Sequence, residues 1–329
     1  MDSGKARSRV SKALSFEPLE GRRLLTTMPG QAHVKEIAGS GGVQLRILAT
    51  ANRPITVTIN DNGTGQPGNI QVTVNGQTYT SQSADTSIYV QGSSKADQVT
   101  YNLTGNLISA RQVVNILNAG NDQFTANLPY DIQTTKVLDL EAYGDAGSDN
   151  LQIHQAGKVT AGTVFPLLNG GNGNDTLSYD YTGDIQAGAV VGPVLQGAAG
   201  NDTIKLNYSG TVLGQFLYNN TVDGGSGNDS ISVDAHLGST STGKVGTSQT
   251  LPALVQGGDN NDQIRYVITV DPTTTTTTTT TGSTSATTTT TKTTAQVFGS
   301  AVGGAGTDTV LRSANINGDS SNENDAVVG

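Results

Sequence analysis

The chain contains no cysteine, which excludes disulfide staples, thiolate zinc sites and cysteine nucleophiles. It is also short of core-forming residues. Apolar residues make up 34% and aromatics 5% of the 329 positions, less than a compact globule of this length carries. No run approaches the ~18 apolar residues of a transmembrane helix. The basic N-terminus lacks the apolar core, about 7–15 residues long, of a secretory signal. Basic residues are few beyond Lys5, Arg7, Arg9, Lys12, Arg22 and Arg23, which face only Asp2, Glu17 and Glu20 in that segment. The body is therefore more acidic than the net charge of −9 indicates. An acidic body argues against a nucleic-acid partner and leaves cations as candidates. No Ser/His/Asp order, phosphate loop or nucleotide signature stands out. His33, His154 and His236 lie far apart in the sequence.

Glycine, by contrast, is abundant, at 42 residues, alongside many Thr, Asn, Ser and Asp. The glycines recur in a turn of the form Gly-Gly-x-Gly-x-Asp. Copies of varying fidelity are Leu117–Asp122, Gly144–Asp149, Gly170–Asp175, Gly197–Asp202, Gly224–Asp229, Gly257–Asp262 and Gly303–Asp308, with a worn copy at Gly92–Asp97. Successive final Asp residues, from Asp97, are 25, 27, 26, 27, 27, 33 and 46 apart. A near-constant period with two late excesses predicts a fixed repeat of about 27 residues carrying loop insertions.

Strand patterning follows each Asp. Two positions on stand Val99, Phe124, Leu151, Leu177, Ile204, Ile231, Ile264 and Val310. Four positions on stand Tyr101, Ala126, Ile153, Tyr179, Leu206, Val233 and Tyr266, and only Arg312 breaks the series. Mostly polar residues lie between, and alternation with period two is a half-buried strand. Gly105, Gly157, Gly183 and Gly210 mark a second turn, followed by Leu107, Val159, Ile185 and Val212. A third apolar position, Val90, Leu168, Leu195, Val222 and Val255, precedes the next glycine turn. One copy cannot bury its stripe, whereas stacked copies can. The sequence thus predicts an all-β chain: a right-handed parallel β-solenoid (β-helix) of seven to eight coils over 92–314.

The third glycine of the template becomes Asn260 in one copy, and Asn best tolerates the left-handed region after Gly. The position is therefore expected to require positive φ, which Lys95 in the worn copy fits badly. Stacking would bring the Asp carboxylates within roughly 5 Å, where two charges repel by about 0.8 kcal/mol in water and more in a drier setting. Such a column calls for a cation, a proton or outward splaying. Ca²⁺ suits a set of carboxylate and carbonyl oxygens.

At these residues the chain resembles the haemolysin-type (RTX) calcium-binding repeat, Gly-Gly-x-Gly-x-Asp-x-apolar-x. Gly170–Asp175 with Thr176-Leu177-Ser178 matches throughout, as does Gly224–Asp229 with Ser230-Ile231-Ser232. The resemblance implies Ca²⁺ held between stacked turns. The implied ligands are Asp149, Asp175, Asp202, Asp229 and Asp262, with Asp122 and Asp308 as poorer matches. Backbone carbonyls would come from glycines such as Gly144, Gly170, Gly173, Gly197, Gly200, Gly224 and Gly227. That family packs the nonapeptide in tandem. Here one nonapeptide in three keeps the motif, so calcium would line one edge only. A metal-free alternative stands beside this: Gly-Asn-Asp is good turn chemistry, and an Asn ladder at Asn121, Asn174, Asn201, Asn228 and Asn261 would hold the turns without an ion.

The flanking segments have their own signatures. Phe16–Leu25 resembles a leader element near the start of large secreted and surface proteins of environmental bacteria, so 1–30 is expected to be a leader or disordered segment. Residues 31–91 read as an N-terminal β cap with hairpin turns at Asn60–Gly63 and Asn75-Gly76. Thr273–Thr281 and Thr287–Thr291 cannot form a half-buried strand and read as a surface loop inserted over 272–294, with O-glycosylation as its functional reading. The polar tail 315–329 is placed to shield the far end. Together these features indicate an extracellular or cell-surface, non-enzymatic calcium-binding module with surface or matrix components as partners. The alternatives are a metal-independent structural or adhesive solenoid and a polysaccharide-acting β-helix enzyme. For the last, no cluster pairing acids with a basic residue is identifiable: Lys205 and Arg265 share one outward position, with Ser232 between them.

Overall fold

The computed structural model describes residues 22–28, 32–39, 42–50, 52–133, 135–216, 221–242, 244–245, 254–271, 273–281, 284–292, 296–297 and 300–315. Among these the chain is all-β, with no helix. The strands gather into one fifteen-stranded and one eleven-stranded sheet, both mostly parallel, plus an isolated two-stranded pair. After residue 98 the chain passes back and forth between the two long sheets, and buried residues from both form one hydrophobic core.

The eleven-stranded sheet is the post-Asp strand repeated. Gln123–Leu128, Asn150–Gln155, Thr176–Tyr181, Thr203–Gly210, Ser230–Leu237, Gln263–Val270 and Thr309–Asn315 follow one another in parallel. Leu151, Leu177, Ile204 and Ile231 fall in one register file and are buried to 2% exposure or less. Burial alternates along most of these strands, for example eBeBiBiB over Gln263–Val270, as a pleated strand with one face on the core must. The fifteen-stranded sheet carries the file Val90, Asn115, Ala142, Leu168, Leu195, Val222, Val255 and Ala301. Between the sheets the second turn adds only single-pair parallel bridges among the described residues, through Leu107, Ile132, Val159, Ile185 and Val212, with no full strand there.

The N-terminal strands are β1 (Arg22–Met28), β2 (Ala32–Gly39), β3 (Gly42–Ala49), β4 (Thr56–Asp61), β5 (Ile70–Val74), β6 (Gln77–Thr80), β7 (Asp85–Gln91), β8 (Gln98–Leu103) and β9 (Arg111–Ile116). β1, β2 and β3 are antiparallel neighbours, as are β4, β5 and β6. Asn75 and Gly76, both at positive φ, make the β5–β6 hairpin turn. Three expectations change here. Arg22–Leu25, assigned by sequence to the leader, lies within β1; residues 1–21 are outside the described set. The expected cap boundary near residue 91 is crossed by parallel pairing, because β3 pairs with β7 and β4 with β8. Val57 and Ile59 align with Val99 and Tyr101, so the repeating apolar file begins before its first glycine turn. Finally, the threonine runs are strands: Thr273–Thr281 pairs antiparallel with Thr284–Lys292 and, among the described residues, with no other strand. β-branched residues favour extended backbone, and a hairpin outside both long sheets needs no apolar face. The tail from 316 onward is not among the described residues.

Candidate functional site

Each glycine turn delivers its Asp to the start of a strand in the eleven-stranded sheet, and the parallel register stacks these residues in a column. Asp97, Asp122, Asp149, Asp175, Asp202, Asp229, Asp262 and Asp308 are all 6% exposed or less. The carboxylates turn inward. Each Oδ1 accepts the backbone N–H of the preceding Asp in the column: Asp97 to Asp122 at 2.6 Å, then Asp122 to Asp149, Asp149 to Asp175, Asp175 to Asp202 and Asp202 to Asp229 at 2.7 Å. Asp229 to Asp262 at 2.8 Å and Asp262 to Asp308 at 2.9 Å complete the ladder. Its first rung is the Ile55 amide donating to Asp97 Oδ1 at 2.7 Å. The two loop excesses leave it intact, since the last two bonds span 33 and 46 residues.

A second ladder runs beside it in the opposite sense. The amides of Ser148, Asn201, Asn228, Asn261 and Thr307 donate to Oδ1 of Asn121, Asn174, Asn201, Asn228 and Asn261 at 2.7–3.0 Å. The Asp side chain thus reaches back along the column and the Asn side chain reaches forward. Turn amides that neither long sheet would satisfy are thereby paired.

The glycines explain how the carboxylate fits. At the first template position, a Cβ on Gly197 would overlap Asp202 Oδ2 and crowd the Gly224 carbonyl. Gly144, Gly170 and Gly224 stand in the same relation to Asp149, Asp175 and Asp229. At the third position, Gly173, Gly200 and Gly227 have φ of 135°, 141° and 132°, and a Cβ on Gly200 would overlap the Gly173 carbonyl oxygen. Asn260 takes φ 83° at this position, as its replacement of Gly implies. Lys95 keeps an ordinary φ, and the worn turn closes instead through Ser93, whose amide and hydroxyl donate to Asp97 at 2.5 and 3.0 Å.

One atom per turn remains unpaired. Oδ2 of Asp122, Asp149, Asp175, Asp202, Asp229, Asp262 and Asp308 is buried with no hydrogen-bond partner. Burial pushes the carboxyls of Asp122, Asp149, Asp175, Asp202, Asp229 and Asp262 up, and at all of these but Asp175 neighbouring carboxylates add to the effect. Asp122 rises to about 7, with Asp149, Asp97 and Asp145 nearby, and Asp202 to about 7, between Asp175 and Asp229. Asp149 and Asp262 rise to about 6, and burial likewise raises Asp175 and Asp229. A buried carboxylate oxygen without a donor is costly unless a proton or a cation neutralises it.

The donor set fits a hard cation in type. At Gly144, Gly197, Gly224 and Gly257 the two nearest atoms to the space by the first glycine are oxygens: the Oδ2 of its own turn and the first-glycine carbonyl of the next. No three acidic or imidazole side chains converge on one point among the described residues. An ion here would therefore take one carboxylate oxygen per turn and draw its other ligands from backbone carbonyls. The histidines stand apart from the column. His154 Nδ1 lies 3.4 Å from Asp180 and His236 Nε2 lies 3.1 Å from Asp271, both pairs largely exposed, and His33 is on β2. Lys205, Ser232 and Arg265 share one file as the repeat alignment places them, with Arg265 donating to Asp234 at 2.7 Å.

Sequence reasoning missed a polar cluster at the N-terminal end, formed by Glu36, Asp61, Asp85 and Arg111, and the buried Asn115 in an otherwise apolar file. These residues come from separate strands and share no motif. The single available signal was Arg111, a charge at a strand start that aligns with Leu138.

No protein-family model matches this chain, and no curated protein or solved structure shows significant similarity to it.

Proposed function

We propose that the chain is a right-handed parallel β-solenoid of about 27 residues per coil, displayed outside the cell, in which Ca²⁺ along one edge locks successive turns together. The observation that carries this reading is the file of buried, unpartnered Oδ2 atoms. One such atom is a local cost; a stacked series of them, with a backbone carbonyl beside Oδ2 of Asp149, Asp202, Asp229 and Asp262, is a place where cations lower the free energy of the folded form. Asp149, Asp175, Asp202, Asp229 and Asp262 would supply the carboxylate oxygens, with Asp122 and Asp308 at the two ends. The role is structural or adhesive rather than catalytic. Isothermal calorimetry on protein stripped with chelator tests it: uptake of Ca²⁺ at millimolar concentration or below is expected, and no uptake defeats it.

A second reading rests on a different observation. The Asp ladder is complete without an ion, since each rung pairs a turn amide with an Asp Oδ1, and the second ladder pairs its amides with Asn Oδ1 except at Asn174, which meets Ser148 Oγ at 3.4 Å. On that reading the column is a metal-independent scaffold whose Oδ2 atoms carry protons. It predicts melting that is indifferent to Ca²⁺ and to chelator.

A further inference from the structure

The N-terminal end of the core is closed by charge. Asp61 on β4 and Arg111 on β9 are both fully buried as side chains and pair at 2.6 Å. Asp61 also accepts from the Tyr101 hydroxyl on β8 at 2.9 Å and from the Gly63 amide at 2.8 Å. Arg111 donates further to the Asp85 backbone carbonyl. Glu36 on β2, 4% exposed, accepts from Tyr79 Oη on β6, the Gln82 amide and Ser83 Oγ, each at 2.6 Å. Asp85, the first residue of β7, is fully buried, and neither of its carboxylate oxygens has a well-formed hydrogen bond.

Glu36, Asp61 and the Arg111 guanidinium therefore all lie near enough to Asp85 to act on its charge. Asp61 is matched by an ion pair and two donors, and the three donors on Glu36 favour its anion. Burial opposes Glu36, yet the bonds from Ser83, Tyr79 and the Gln82 and Ser83 amides outweigh it and keep its carboxyl below the usual range. Asp85 has no well-formed hydrogen bond to either carboxylate oxygen, and only Ser81 and Arg111 favour its anion. The groups facing it are Glu36, Asp61 and Arg111, with Ser81 and Tyr79 beside them.

We propose that this cluster is a proton-controlled latch: a proton on Asp85 holds the antiparallel segment β1–β3 against β7, and its loss loosens that segment. The geometry places the strain at the right joint. β3 pairs with β7 from Val43↔Asp85 onward, with a register shift immediately after that first pair. Glu36 lies across from Leu45 on the same sheet, so an anionic Asp85 sets two like charges on either side of the β3–β7 seam. Burial first, then Glu36, raises the Asp85 carboxyl to about 7, against the opposing pull of Ser81 and Arg111. The switch thus falls near neutral pH, closed on the acid side and loosened on the alkaline side. Freeing β3 would expose the edge of β7, an unpaired strand edge able to accept another chain.

Hydrogen exchange of the full chain, followed peptide by peptide at about pH 5.5 and about pH 8.5 and corrected for intrinsic rates, tests the latch. Protection of Ala32–Ala49 is expected to fall roughly tenfold or more at the higher pH, and Asp85→Asn should abolish that fall. Glu36→Gln should reduce it, and this variant settles the matter if Asp85→Asn folds poorly. Carboxyls in the glycine turns titrate equally in all three proteins, so the difference between variants reports the cluster alone. An equal loss of protection in wild type and both variants, or no loss in wild type, would overturn the proposal.

Discussion

At the residue scale, the turn asks for side chains of one shape and one polarity. Asp202 makes the point, because its two oxygens do separate jobs. Oδ1 pairs the Asp175 amide, and Oδ2 lies against Gly197 without a donor. Asp202→Ala leaves the Asp175 N–H unpaired in a buried place, a cost of about 1–3 kcal/mol, to be read from urea melts. Asp202→Asn keeps the Oδ1 acceptor and removes the charge. With chelator present it should melt at or above wild type at alkaline pH, and in calcium below it, because a ligand is lost. Equal melting of Asp202→Asn and wild type in both conditions would remove Asp202 from the ligand set. Glycine gives a sharper contrast. Gly200→Ala drives a methyl into the Gly173 carbonyl and should prevent folding of the neighbouring turns. Gly188 has a similar requirement for positive φ, 83°, but open space around it, and Gly188→Ala should cost only about 1–2 kcal/mol. Circular dichroism melts of the two variants measure the difference.

At the element scale, the strands that repeat were legible, as was the Asn75-Gly76 hairpin turn, but the long-range partners of strands that occur once were not. Leu177, Ile204 and Ile231 announce a file because the same polarity returns at the same interval, and parallel pairing then stacks like on like. Leu177→Asp or Ile204→Asp buries an unpaired charge in that file and should unfold at least the adjoining strands, seen as loss of protection in hydrogen exchange. Ile132 carries no preceding glycine, yet it bridges Leu107 and Val159; the turn there is made without the residue that marked the others. The latch residues were hidden for a related reason. Glu36 and Tyr79, or Asp61 and Arg111, meet across 43 and 50 residues, and a pair that occurs once leaves no period. The threonine hairpin was unreadable because the sequence test sought a buried face, which a strand pair outside both sheets does not have. Deleting Thr273–Thr294 and rejoining the ends should shift the melting temperature little, because surface insertions cost little to shorten. A large loss would place the hairpin in the folded core.

At the scale of the whole molecule, the fold concentrates a titrating charge on one edge. Without metal, Asp122 and Asp202 sit at about 7 and Asp149 and Asp262 at about 6. Their ordinary value is 3.8. Between that value and the folded one, the native form binds protons that the unfolded chain has released. Metal-free stability should therefore decline as pH rises from about 4 to about 7 and level off above that. Calcium should reverse the trend, since an ion needs the carboxylates ionised and binds better as pH rises. The direct test is thermal melting at about pH 8 in millimolar calcium and in chelator, with sodium at constant ionic strength. Ion binding to the folded form alone raises stability with concentration. The calcium account predicts a melting temperature that climbs steadily with free calcium and a lower one in chelator. Identical melting curves across the series would contradict it and leave the paired Asp and Asn ladders as a metal-free scaffold.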